Sequence, residues 1–231
     1  MNDACPRACP VCRKPSRMNH VHLKNRVDPW GQLHAVSARG ALMGNRGTLH
    51  DENRQIVRSW SRKPWVTCVL SFKGIRRVPF SPGSYSELFF LDEATAFAAG
   101  HRPCAACQRE RHTLFKRAWF DANPLPEDVG HGVAAMDSRM HAERTAPAAT
   151  RRANLTRLDD LPAGTLIAQG DQAHLVWGAN LLPWTFEGYG KPRRVDRDAR
   201  VEVLTPPSVV AAFRQGFVPG VHVSATVFLA G

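Results

Sequence analysis

Residues 87–119, ELFFLDEATAFAAGHRPCAACQRERHTLFKRAW, decide how this 231-residue chain is to be read. The apolar run over 87–91 predicts a strand. Asp92 is placed to cap a short helix through Ala99, with Gly100 as its C-terminal stop. Pro103 then sets φ for the start of a second helix running to about Ala122. Cys104 and Cys107, three apart at the first turn of that helix, supply two sulfurs to one ion. That is half of a tetrahedral metal site, and zinc is the ion that thiolates prefer.

The rest of the ligand set is spread over the chain. Cys68 lies in the β-rich segment WVTCVLSF (65–72), where it is either a further ligand or a buried structural thiol. Cys5, Cys9 and Cys12 lie in CPRACPVC (5–12), with His20 and His22 behind them. That spacing suits a second zinc site, or a contribution to the first. His101 and His112 are the other candidates for a fourth ligand. In a reducing compartment, six cysteines read as ligands or buried thiols rather than disulfides.

Residues 89–107, FFLDEATAFAAGHRPCAAC, resemble the second half of the Ada metal-binding domain. That family has a strand, an acidic helix, an AAG-aromatic-RPC-x-x-C turn and a further helix. The resemblance covers about twenty residues and implies a small zinc-bound module that contacts DNA. The family also pairs two cysteines four apart after a strand. Here Cys68 stands at the first of those positions and Phe72 at the second. In the family one cysteine of that pair accepts a methyl group from a DNA phosphotriester, a role that the resemblance would carry to Cys68.

Charge points the same way. The net +11 lies wholly within residues 1–86, which hold 15 Lys/Arg against 4 Asp/Glu; the two later segments, 87–125 and 126–231, are each neutral. A polyanion is the natural partner of such a segment, because phosphate contacts release counterions. Arg39, Arg46, Arg76, Arg77 and Arg102 are the candidate phosphate contacts. No basic stretch has the clean helical amphipathicity of a membrane-surface segment, and no run is long enough to span a bilayer. With no apolar stretch at its N-terminus, the chain is expected to be cytoplasmic.

Residues 25–51 gather Arg26, Asp28, Arg39, Asn45, Arg46, His50 and Asp51 around three glycines. Gly40, Gly44 and Gly47 predict a loop over 39–49. His50 and Asp51, with Cys68, are the candidate catalytic groups: the first two for metal-assisted hydrolysis, the thiol for methyl acceptance. A strand is expected at 32–36, and 75–79 is expected to return as a hairpin partner of 65–72. Further on, Val133, Met136 and Met140 mark the apolar set of a helix; His141 and Glu143 do not share a face of it, and that end reads as solvated rather than as a site. Gly170-Asp171 joins two strands in a hairpin. The aromatics of 181–190 read as core.

The expected fold class is α+β. A flexible Cys-rich basic arm (1–24) is followed by an Ada-like metal-binding domain (25–125), a small sheet carrying the cysteine helix. A helix plus β-rich module (126–231) completes the chain. The expected function is a zinc-containing nucleic-acid-binding protein, DNA-directed. The alternatives are a metal-dependent nuclease or hydrolase, a methyl-accepting repair protein, and a zinc scaffold for a protein partner.

Overall fold

The structure, a computed structural model, describes residues 22–127, 129–130, 132–153 and 155–227. Two sheets and a set of helices confirm the α+β class. The first sheet is built from β1 (Arg26–Val27), β2 (Leu33–His34), β3 (Leu42–Asn45), β4 (Val66–Val69), β5 (Leu88–Phe90) and β6 (Arg102–Pro103), in the order β2-β1-β5-β3-β4-β6. Its pairings are antiparallel except for β1 with β5 and β4 with β6. The second sheet, β7 (Leu155–Arg157), β8 (Leu166–Gln169), β9 (Gln172–Trp177), β10 (Asn180–Pro183) and β11 (Arg200–Val203), is antiparallel in the order β10-β9-β8-β11-β7. The Gly170-Asp171 hairpin is its β8–β9 turn.

Helix α1 (Glu93–Ala98) lies where these layers meet. Asp92 caps it as its position predicts, accepting from the Thr95 amide at 2.8 Å. All six of its residues are buried, which an α-helix tolerates only inside a core. Ala96 and Ala99 face the first sheet with Leu88 and Phe90. Ala94 and Ala98 pack with Leu166, Leu175 and Trp184 of the β-rich half. Phe97 packs against Phe115 and Trp119 of α2 (Arg109–Ala122), Met136 and Met140 of α3 (Val133–Thr145), and Phe213 of α5 (Pro207–Arg214). Small residues on two faces of α1 let both sheets approach it. The two shortest helices are α4 (Ala148–Arg152) and α6 (Val223–Thr226).

The glycine-rich stretch 39–49 is not the expected loop. Its centre is β3, hydrogen-bonded on both sides to β4 and β5. Gly44 serves close packing: a Cβ there would lie 2.3 Å from the Phe90 ring. A glycine inside a strand marks such an approach as readily as a turn. Gly44→Ala is therefore expected to cost about 2–3 kcal/mol by overpacking. The melting temperature should fall by roughly 5–10 °C, read by circular dichroism.

Three other local expectations change. Pro103 belongs to edge strand β6, and α2 starts only at Arg109, so Cys104 and Cys107 sit in the turn before the helix. The expected strand over 32–36 shortens to β2. Residues 75–79 form no hairpin strand, because β3 and β6 already occupy both edges of β4. Leu70, Ile75 and Val78 are instead exposed on a surface loop. The aromatics Trp184 and Tyr189 are core, with the Tyr189 hydroxyl donating to Asp92 at 2.7 Å.

Candidate metal centre and its surroundings

Cys68 meets the CxxC turn because β4 and β6 run parallel. The register sets Thr67 beside Pro103, so the next residue on each strand is a cysteine. The Cys104 amide donates to the Thr67 carbonyl at 2.9 Å. The Gln108 side chain closes the turn, donating to the same carbonyl at 2.8 Å and to the Thr67 hydroxyl at 3.2 Å. Its own amide donates to Cys104 O at 3.0 Å.

The three sulfurs of Cys68, Cys104 and Cys107 lie within 4.8 Å of one another, each partly exposed. Tetrahedral zinc with bonds near 2.3 Å holds sulfurs about 3.8 Å apart, so a small inward shift would seat an ion. This is the one metal-competent group of His, Cys, Asp or Glu among the described residues. Its electrostatics also suit a cation. The Cys68 thiol, with the Cys107 and Ala106 amides, donates to the Cys104 sulfur and pulls its pKa down to about 4 against the cost of burial. That bond to Cys104 drives Cys68 far upward, with burial adding to the effect. Burial raises Cys107, opposed by the Val69 amide. A divalent cation would favour the thiolate form of all three.

No family model, curated protein or solved structure matches this chain. Its chemistry therefore rests on the residues themselves.

Neither histidine expected as a fourth ligand joins the three sulfurs. His101 is fully buried: its Nδ1 donates to Ala99 O at 3.0 Å, and its Nε2 accepts from Arg46 at 3.2 Å. His112 bonds to Pro103 O at 3.1 Å. Phe72 is where the family pattern would put a thiol. Tyr85 lies near enough that Cys68 and Cys107 add to the upward shift its burial causes, and Arg77 covers its ring at 5.1 Å. The candidate second site, Cys5, Cys9 and Cys12 with His20, lies outside the described residues.

The candidate catalytic pair has other work. His50 is stacked on Phe80 at 4.7 Å, and its Nδ1 accepts from the Ser86 hydroxyl at 2.6 Å. The Asp51 carboxylate accepts from the Asn53 and Gln55 amides at 2.9 and 2.8 Å, which shapes a turn. These two residues do not join the cysteines.

The five candidate phosphate contacts divide by burial. Arg39, Arg76 and Arg77 are exposed. Arg102 is 6% exposed and makes a bidentate pair with Asp137 of α3, at 2.6 and 2.7 Å. Arg46 is 3% exposed and stacks on Trp65. The Arg102 guanidinium is spent inside the protein, because Asp137 supplies the contact that phosphate was expected to make, and Arg46 is turned inward from the surface. Helix α3 corrects the sequence in the same way. Its His141–Arg144 end is not solvated as expected: His141 and Arg144 are buried, and Glu143 accepts from the Ser208 hydroxyl at 2.7 Å.

Burial, and then the charges of Arg46 and Arg144, hold the His101 pKa well below the ordinary value. Burial is also the largest cause of the lowered pKa of His112, His141 and His174. In all four, burial disfavours the charged form in the folded protein, whereas the unfolded chain protonates them below about pH 6.5. Their contribution to stability is complete above that pH and is lost as pH falls toward the folded values. The urea midpoint is expected to fall as the pH drops from about pH 7 to about pH 5.

Proposed function

We propose that this protein binds zinc through Cys68, Cys104 and Cys107 and binds nucleic acid through the basic loops beside that centre. The observation that carries the reading is the convergence of three thiols from two chain segments 36 residues apart (68 to 104). Three sulfurs at one point on a surface are the chemistry of a thiophilic ion, and zinc is the usual one. The strand β4 that bears Cys68 is entered and left through strongly basic loops. Arg54, Arg58, Arg62 and Lys63 are exposed on one side, and Lys73, Arg76 and Arg77 on the other. Exposed Leu70, Ile75 and Val78 interleave with the second group, a mixture that suits contact with phosphate and base or sugar together.

The resemblance of residues 89–107 to the Ada module favours DNA over RNA. Among the described residues, no helix is long and apolar enough to cross a membrane.

The test is binding of short DNA and RNA duplexes as a function of salt. About six phosphate contacts predict a loss of roughly a thousandfold in affinity between about 50 and 200 mM salt. Replacing Lys73, Arg76 and Arg77 by Gln should flatten that dependence by about three contacts. Binding that is absent at low salt, or insensitive to it, would remove the nucleic-acid half of the proposal.

A further inference from the structure

Away from the cysteines, a cavity of about 540 Å³ opens between the two halves of the molecule. Trp30, Trp60 and Trp65 line it, together with Arg46 and Arg144, and Arg152 stands at its edge. None of the thiols and none of the exposed loop arginines named above borders it.

Its two guanidiniums are anomalous. Arg46 and Arg144 are 3% and 9% exposed, and their guanidinium carbons lie 4.3 and 3.8 Å from the centre of the Trp65 ring. Neither makes an ion pair among the described residues. Arg46 donates to Gly31 O at 3.0 Å and to neutral His101, which leaves Nη2 without a partner among those residues. Arg144 donates to Gly100 O at 2.6 Å, to Lys63 O and to His141, which leaves Nε without one.

The nearby acids are committed elsewhere: Asp28, whose charge reaches Arg46, to His34 and the Gln32 amide, Asp137 to Arg102, and Glu143 to Ser208 and Arg139. Glu202 also lines the cavity, but Arg151 and Arg152 on exposed α4 outweigh it. Two buried like charges with open donors are costly unless an anion completes them. Guanidinium forks match phosphate oxygens. Trp60, 43% exposed, offers an indole face for a flat ring.

We infer that this cavity binds a nucleoside monophosphate unit, its phosphate between Arg46 and Arg144 and its base against the Trp60 indole. The phosphomonoester can belong to a free mononucleotide or to the 5′ end of a strand.

The test uses the full chain, with tryptophan fluorescence and calorimetry as readouts and AMP, UMP, adenosine and inorganic phosphate as probes. AMP and UMP are expected to bind saturably, each at least tenfold tighter than adenosine or inorganic phosphate. Trp60→Ala and Arg144→Gln are each expected to weaken AMP by about tenfold or more. Trp60→Ala removes a half-exposed ring, so it carries the test if Arg144→Gln does not fold. Oligonucleotides then separate the sources. Displacement of bound AMP only by a 5′-phosphorylated strand assigns strand ends, and displacement by neither strand assigns the free nucleotide. The proposal is overturned by nucleotides that bind no tighter than phosphate, by a Trp60→Ala variant with unchanged affinity, or by equal displacement with and without the 5′ phosphate. Loss of zinc in Cys104→Ser has no bearing on it, so the two readings fail separately.

Discussion

Cys104→Ser is expected to lose zinc outright, and with it much of the protein's stability. Purified protein should carry one zinc bound by the triad, measured as metal per chain on the wild type and on the variant. A serine hydroxyl does not ionise near neutral pH and is a poor zinc ligand, and two thiols are too few to hold the ion tightly. Structural zinc sites contribute on the order of 10 kcal/mol to the folding of small domains. Here α1 and both sheets share an apolar core that includes none of the cysteines, so the expected loss is smaller, about 3–5 kcal/mol. That corresponds to roughly 10–15 °C in melting temperature. A chelator added to the wild type should reproduce the shift, and Cys5→Ser should leave the triad's zinc in place. Metal-free wild type with unchanged melting under chelator would remove the zinc reading.

The second large effect is expected at Asp137. Its carboxylate is the bidentate partner of Arg102, with both side chains 7% exposed. Asp137→Ala leaves a buried guanidinium with only the Pro103 carbonyl, at 3.2 Å. An orphaned buried charge costs about 3–5 kcal/mol. The double variant Arg102→Met with Asp137→Leu should recover most of that, because replacing a whole buried pair by apolar groups is close to neutral. The pair also ties β6 to α3, and Cys104 directly follows β6. Asp137→Ala is thus expected to weaken zinc retention as well as stability, measured by competition with a chromophoric chelator. An unaltered melting temperature would mean that the pair contributes nothing net.

Arg102 also shows where reading the chain residue by residue stops. In sequence it is an arginine beside a cysteine turn in a basic protein, and phosphate is the natural partner. Its actual partner is 35 residues away on helix α3, and no local pattern announces that contact. Arg46 and Arg144 are the same case: β3–β4 pairing sets Arg46 beside Trp65, and only the tertiary placement of α3 brings Arg144 to the same ring. His50 and Asp51 looked like a reactive pair because they are adjacent, yet each bonds to a different neighbour. The three glycines of 39–49 were ambiguous for a physical reason. Glycine is used both where the chain must turn and where another side chain must come close, and only the Phe90 ring lying against Gly44 separates the two.

What the chain determined alone was local: the Asp92 cap and α1, the paired sulfurs of Cys104 and Cys107, the apolar side of α3 and the Gly170-Asp171 hairpin. Each depends on φ/ψ preference, capping or periodicity within a few residues, forces that act before anything distant is in place. The tertiary structure alone decided that Cys68 joins the thiol pair, that Arg46 and Arg102 turn inward, and that three indoles and two unpaired guanidiniums share one cavity. Burial and charge pairing depend on which surfaces meet, and that is set by strand register and helix packing across the whole chain.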